Sequence, residues 1–402
     1  MQTHAPTRGF PPEEFEKRTA AAQAMMAARN IDAMLLTTEP EVRYFTGFQT
    51  LFWLSPTRPW FLVIPADGKP IAVIPSIGDS LMRSTWIDDV RVWSSPNPED
   101  DGVSLLASTL RESGGATATI GVPMGPETHL RMPLRDFGGL QRELSSIEWV
   151  DVTDIVSGLR MVKSAREIEK IAHVCSIVSD AFDGLPQLIS IGDTEQRAFA
   201  KFRIDILQRG ADDVPYLVGS TGPGGFDDII KSPTDRIISD GDLLLFDTGS
   251  VYDGYFSDFD RNFAFGSADD AAKHAYAVVW AATEAGLEAV RPGGTTSDLW
   301  AAMMRVIEDG RGSSTPASGL PTGGLAKNSV GRMGHGLGMQ VTEWPSNTQT
   351  DDTVLQEGMV LTLEPGYSWA EGKMMVHEEN LVVRADGAEL LSRRAAPELP
   401  VI

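Results

Sequence analysis

At 402 residues with 42% hydrophobic content, the chain is long enough for two domains with real cores, which excludes a fibre or a disordered polypeptide. Its formal net charge of -22 argues against nucleic acid and anionic membrane as partners, since either needs a basic face to displace counterions. The longest apolar runs, Trp60 to Pro65 and Ile71 to Pro75, stop far short of the roughly 18 residues that a membrane span requires. The stretch Met1 to Arg18 is polar and lacks the apolar core of a secretory signal, and the single cysteine, Cys175, excludes an internal disulfide. The expected location is the cytoplasm.

Apolar and alanine positions recur at helical spacing from Pro12 to Arg29, and a strand follows from Ile31 to Thr37. Pro40 to Tyr44 reads as a turn or short helix. Trp60 to Pro65 and Ile71 to Pro75 read as strands joined by the tight turn Ala66-Asp67-Gly68-Lys69. Helix and strand segments then mix through Ser104 to Glu112, Ala118 to Val122, Pro133 to Leu144 and Ile147 to Val152, which predicts an α/β domain of about 150 residues. The pattern changes between Gly158 and Ser164, and a long helix begins at Ala165, so a domain boundary belongs there, giving units 1–160 and 165–402. A second helix, capped by Asp193 or Thr194, ends at Gly210. Gly219 to Gly225 reads as a loop, and Asp269 to Ala289 and Ser297 to Asp309 as further helices. The recurrence of two helices followed by strands hints at a duplicated half.

Chemistry gathers around Phe246-Asp247-Thr248-Gly249 and Tyr255-Phe256-Ser257-Asp258-Phe259-Asp260-Arg261. Leu243 to Phe246 is an apolar run ending on a carboxylate, and Tyr252-Asp253-Gly254 is a turn signal, so the two halves predict a hairpin. Folded about Tyr252/Asp253, it sets Asp247 opposite Asp258, with Cβ atoms roughly 4.5 to 5.5 Å apart. Like charges so placed call for something positive between them. His335 lies among glycines in Gly334-His335-Gly336-Leu337-Gly338, Glu364 ends the apolar run Leu361 to Leu363, and Met375 to Val383 sets Glu378 and Glu379 inside a strand-like run. Carboxylates at apolar strand positions with one histidine match a site for two divalent cations, with hard oxygen ligands and one nitrogen.

This ordered set resembles the pita-bread metallopeptidases: methionine aminopeptidase, prolidase and aminopeptidase P, with the non-peptidases creatinase, ectoine hydrolase and dimethylsulfoniopropionate lyase. The likeness rests on Asp-x-Gly leading to Gly-Tyr-x-Ser-Asp, then His-Gly-x-Gly, Glu-Pro-Gly, and a strand Glu two residues before Asn-Leu-Val-Val. Tyr44-Phe45-Thr46-Gly47-Phe48, the junction Lys163-Ser164-x-x-Glu167-Ile168 and Ser232-Pro233-Thr234-Asp235-Arg236 are similar to the creatinase and prolidase branch. The resemblance implies an α+β fold: a C-terminal pita-bread domain built as a duplicated αβ unit, preceded by a smaller α/β creatinase-type domain. It implies five metal ligands, Asp247, Asp258, His335, Glu364 and Glu378, holding two divalent ions. Asp258 and Glu378 bridge them, and Glu364 is the general base toward a metal-activated water. Manganese, iron or cobalt is favoured, with zinc admitted. A homodimer is implied as well.

Three positions depart from the Xaa-Pro peptidases of this family: Ile230 and Thr342 stand where histidines are expected, and Val376 where an arginine often lies. The leading expectation is a metal-dependent hydrolase of the Xaa-Pro aminopeptidase and prolidase type, cutting a C–N bond in a dipeptide or other small substrate. The alternatives are a non-peptidase acting on a small zwitterion, by hydrolysis or by β-elimination, and a catalytically dead binding module. Trp53, Asp260 and Thr342 are candidate substrate residues. For Trp53 the plainer reading is core packing, and for Asp260 a solvent-facing or Arg261-paired carboxylate.

Overall fold

Six short strands of the first 160 residues form one sheet: β1 (Ala33–Leu36), β2 (Phe61–Pro65), β3 (Ile71–Pro75), β4 (Asp89–Trp93), β5 (Thr119–Val122) and β6 (Glu148–Asp151), in the order β4-β3-β2-β1-β5-β6. These are features of a computed structural model that describes residues 4–310 and 331–402; residues 1–3 of the polar N-terminal stretch lie outside it. Contacts divide the chain into two units, Thr7–Arg160 and Met161–Ile402, the second also taking in the residues up to Pro6. In the first unit, the turn at Asp67-Gly68 closes β2 on β3 antiparallel, whereas β5 and β6 pair in parallel. Leu35, Val63, Ile120, Leu106 and Leu110 pack as its core, so the sheet buries one face under the helix Val103–Gly114. Trp53 is buried there, edge-on to Phe48 and tilted against Trp60, with the Arg131 guanidinium 4.9 Å from its ring centroid.

In the second unit the helices Ala165–Leu188 and Glu195–Gln208 precede β7 (Asp213–Pro223), β8 (Asp242–Tyr252), β9 (Tyr255–Phe256) and β10 (Phe259–Ala264). The helices Asp270–Ala289 and Thr296–Gly310 precede β11 (His335–Gly336), β12 (Glu343–Ser346), β13 (Val360–Leu363), β14 (Gly366–Ala370), β15 (Lys373–Val376), β16 (Glu379–Arg384) and β17 (Gly387–Leu390). Two helices followed by antiparallel strands thus occur twice, the duplicated αβ arrangement. Strand order is β10-β8-β7 in one sheet and β12-β11-β13-β16-β17 in the other, with β14 and β15 as a separate hairpin. Among the described residues no helix is long and apolar enough to cross a membrane.

Local chemistry explains the helix entries. Ser164 Oγ accepts the Glu167 N–H while the Glu167 carboxylate accepts the Ser164 N–H at 2.8 Å, a capping box that starts the helix Ala165–Leu188. That helix then grips the hairpin turn: Lys170 pairs with Asp253 at 2.7 Å, and the Tyr255 hydroxyl donates to Glu167 at 3.0 Å. Thr194, not Asp193, caps the next helix. Glu195 accepts from the backbone and hydroxyl of both Thr221 and Thr234, and Arg236 forks onto Asp242 at 2.7 Å. The segment Ser232 to Arg236 therefore staples helix, strand and loop together.

Two expectations are corrected. Most of the stretch from Gly219 to Gly225 is strand, because β7 pairs along β8 from Tyr216 opposite Gly249 to Pro223 opposite Asp242, and this pairing overrides the local glycine signal. The hairpin also turns one residue later than expected. Asp253 and Gly254 both have positive φ, 46° and 74°, and form a two-residue turn that sets Tyr252 against Tyr255. Asp247 consequently faces Asp260, not Asp258. A shift of the hairpin centre by one residue moves the partner by two, which keeps the same face of the strand.

Candidate metal centre

Each candidate ligand is placed by a buried strand or its end. The apolar run of β8 is pinned by Phe199 and Phe202 against Phe246, with ring centroids 4.6 and 4.9 Å apart, and Asp247 follows directly. Asp258 sits just before β10, where its backbone is held by Asn380: the amide oxygen accepts the Asp258 N–H at 2.9 Å and the amide nitrogen donates to the Asp258 carbonyl. Glu378 precedes β16, and its N–H donates to Asp260 at 3.1 Å. Glu364 follows β13, and His335 opens β11 with its N–H on Thr362 Oγ1 at 3.2 Å. The glycines around His335 are required by close approach. A Cβ on Gly334, at φ 135°, would lie 2.1 Å from the Thr362 carbonyl oxygen, and one on Gly336 would lie 2.1 Å from that of Trp344.

Asp258, His335 and Glu378 each offer a ligand atom within 4.8 Å of the others. His335 Nε2 lies 3.4 Å from Asp258 Oδ2 and 3.6 Å from Glu364 Oε1. Its Nδ1 is 2.8 Å from the Gly336 carbonyl, which only accepts, so Nδ1 carries the proton and Nε2 presents a lone pair to the carboxylates. Burial, with the nearby Arg332 charge acting in the same direction, pushes the imidazole down to about 3 and keeps it neutral. Burial also raises the carboxyls of Asp247, Asp258, Glu364 and Glu378, and repulsion from Asp247 adds to the rise at the last three. Asp247 Oδ1, Glu364 Oε1 and Glu378 Oε1 are buried without a hydrogen-bond partner. Buried lone pairs without a hydrogen-bond partner and crowded acids are costly, and hard oxygens with one imidazole are the donor set that divalent ions take.

Three residues outside the expected set support these groups. The Tyr216 hydroxyl on β7 donates to Asp247 Oδ2 at 3.1 Å, and burial followed by the Asp247 charge keeps the phenol protonated. Asn380 clamps Asp258, as above. Arg332 lies with Nε 3.6 Å from Glu364 Oε1 and Nη2 donating to Thr342 Oγ1 at 3.3 Å. Asn380 was visible in the sequence as the residue two after Glu378, hence on the same strand face. Tyr216 and Arg332 carry no such signal, since their positions depend on pairing between distant segments.

The candidate substrate residues fare differently. Asp260 is buried, not solvent-facing: it accepts the Glu378 N–H, and Arg261 bonds its backbone carbonyl and not its carboxylate. Its carboxyl is raised by burial and then by the Asp247 charge, with Arg261 opposing. Thr342 lines the group through Arg332, whereas Trp53 belongs to the core of the first unit. Ile230 is exposed on a loop, and Val376 is buried in β15 opposite Gly366.

Residues 169–385 match the model of metallopeptidase family M24, and residues 18–162 match that of the creatinase/prolidase N-terminal domain. The chain belongs to metallopeptidase family M24. It is a metal-dependent hydrolase of the Xaa-Pro aminopeptidase and prolidase family. It is 30% identical over 382 residues to the Xaa-Pro dipeptidase of Pyrococcus horikoshii, covering 92% of this chain and 94% of that one. It is 27% identical over 394 residues to the probable dipeptidase PepE of Mycobacterium tuberculosis, covering 95% of each. The crystal structure of dipeptidase PepE from Mycobacterium ulcerans superposes with a TM-score of 0.82 at 28% identity, over 98% of this chain and 99% of that one. The M24 family uses divalent metals, and the donor set in this chain fits them.

Proposed function

We propose that residues 165–402 form the catalytic domain and hydrolyse an amide C–N bond in a dipeptide or similarly small substrate, residues 1–160 forming a creatinase-type N-terminal domain. The observation that carries this reading is the set of oxygens on Asp247, Glu364 and Glu378 that are buried without a hydrogen-bond partner beside a neutral His335. Two divalent cations would be held by Asp247, Asp258, His335, Glu364 and Glu378; hard oxygens favour manganese, iron or cobalt, zinc being the remaining candidate. Bound there, the pair supplies Lewis-acid polarisation of the scissile carbonyl and a water acidified toward neutral pH. Glu364 is the general base: its carboxylate takes a proton from the attacking water as the C–O bond forms and returns it to the departing nitrogen as the C–N bond breaks. Tyr216 holds Asp247, and Asn380 holds the backbone of Asp258, so neither ligand has to be ordered at the moment of reaction.

Relatives named as dipeptidases and Xaa-Pro dipeptidases support a dipeptide substrate. The reading extends to a homodimer in the cytoplasm, supported by the resemblance to the prolidase branch and by the single cysteine; a monomer in light scattering contradicts the dimer. Metal analysis of the purified protein is expected to give about two transition ions per chain. Glu364→Ala is expected to abolish turnover with circular dichroism unchanged. An active variant removes Glu364 from the role of base, and activity that survives chelation with no ion bound removes the metal. Xaa-Pro dipeptides are to be screened against creatine-like, ectoine-like and sulfonium zwitterions. Turnover of a zwitterion alone would assign the chain to the non-peptidase members, the reading to which Ile230, Thr342 and Val376 point.

A further inference from the structure

Where β10 meets the segment Arg393 to Ile402, the edge of its sheet is left open for one residue. Ala264 pairs with that segment in parallel, opposite Val401: its N–H donates to the Pro400 carbonyl and its carbonyl accepts the Ile402 N–H, both at 2.8 Å. Backbone groups alternate in direction along a strand, so Asn262, two residues back, aims its N–H and its carbonyl at the same edge, away from β8. The Asp260 carbonyl, two residues further back, is taken by Arg261 at 2.6 Å. Continued by one step, the parallel ladder would set the Asn262 N–H on the Glu398 carbonyl and the Asn262 carbonyl on the N–H of residue 400. Residue 400 is proline and has none. Upstream, the segment is held elsewhere by Tyr276 and Trp280, which donate to the carbonyls of Ala396 and Ala395 at 2.7 and 3.0 Å. None of the described residues bonds to either backbone group of Asn262, and its side-chain amide donates to the Val376 carbonyl at 2.7 Å.

A cavity of about 230 Å³ lies at this gap, bordered by Asn262 and Pro400, and none of the five candidate metal ligands lines it. Phe182, Pro186 and Phe263 give it apolar walls. Its cations come already paired: Arg261 with Glu379, Arg393 with Asp180 and Asp183, and Arg394 with Glu284 and Glu379. A bare anion therefore meets no guanidinium without a counter-charge, whereas the open edge offers one donor and one acceptor side by side. We propose that this cavity binds a free apolar α-amino acid. The ligand's carboxylate accepts the Asn262 N–H and its ammonium donates to the Asn262 carbonyl, the two-way exchange of a hydrogen-bonded antiparallel pair, strengthened because both ligand groups are charged. Its side chain is buried against the apolar walls. The volume lies below the roughly 300–1,000 Å³ of drug-sized sites, which suits a single residue and not a longer peptide. Arg261 lines the cavity and donates to the carbonyls of Asp260 and Glu378, so the occupant sits one side chain away from the candidate metal centre. The assignment is independent of the amide-hydrolase reading.

The test is calorimetry on the metal-loaded full chain, with leucine as the probe and 4-methylpentanoate, which lacks the ammonium group, as its control. Leucine is expected to bind saturably and about 10- to 100-fold more tightly than the control, the range of one charged hydrogen bond. Two variants locate the site without touching a metal ligand. Pro400→Ala supplies the missing N–H, lets the segment close on Asn262 and is expected to weaken leucine by at least about 10-fold. Ala396→Trp fills the cavity and is expected to abolish binding. Near-ultraviolet circular dichroism checks that each variant is folded, and an amino acid bound at the metal centre would be unaffected by either. No saturable binding of leucine, equal binding of 4-methylpentanoate, or leucine affinity retained in either folded variant overturns the assignment.

Discussion

Replacing Asn380 by alanine isolates the cost of holding Asp258, a proposed metal ligand, in place. Asn380 is fully buried, and its amide is the partner of both the N–H and the carbonyl of Asp258; Cys175 Sγ also lies 3.3 Å from its oxygen. Truncation leaves two buried backbone groups unpaired, at about 1–3 kcal/mol each, so the expected loss is roughly 2–6 kcal/mol. The low end applies if a water takes the place of the amide. That is a large part of the about 5–15 kcal/mol by which a domain is stable. The loss is read as a fall in the urea midpoint of metal-free protein. A second readout is specific to the centre. With Asp258 no longer fixed, metal affinity in competition with a chelator is expected to drop by about 10- to 100-fold, as for other groups that orient a ligand. Lower stability with unchanged metal affinity would refute the positioning argument, because Asp258 would then keep its place without the clamp.

Two further predictions concern groups away from the ligands' own atoms. Burial tends to raise the Glu195 carboxyl, but the hydrogen bonds from Thr221 and Thr234 outweigh it and hold the group below its ordinary value of 4.5. Stability from Glu195 is therefore complete above that value and is lost as pH falls through the lower folded one; Glu195→Gln is expected to flatten the acid limb of a urea-midpoint profile, and an unchanged slope between pH about 6 and 3 would contradict it. Arg261 donates to the carbonyls of Asp260 and Glu378 and pairs with buried Glu379 at 2.9 Å. Arg261→Met is expected to cost on the order of 3 kcal/mol in a denaturant titration, the low end for breaking a buried pair because Arg394 still faces Glu379.

Much of the centre is legible in one dimension because buried acids are costly and therefore conspicuous. Asp247 and Glu364 each close an apolar run, Glu378 interrupts another, and His335 sits where glycines allow strands to approach. The capping box at Ser164 and Glu167 and the cap at Thr194 are likewise local, since each is closed by residues three apart. For the first unit's Trp53 the plainer reading, core packing, is what the structure gives, although its partners Phe48 and Trp60 are fixed only by the packing.

The sequence by itself determined which residue types are candidates to meet a metal and in what order, because charge, apolar runs and turn chemistry are properties of short segments. Only the tertiary structure decided which atoms face one another. The turn at Asp253-Gly254 put Asp260 opposite Asp247, a matter of one residue in where the hairpin closes. Pairing of β7 with β8 brought Tyr216 to Asp247, and the approach of the Arg332 segment to Glu364 and Thr342 placed a cation at the edge of the acids. Those meetings join residues far apart in the chain. Their geometry is set by strand register and close packing, which no local run of side chains encodes.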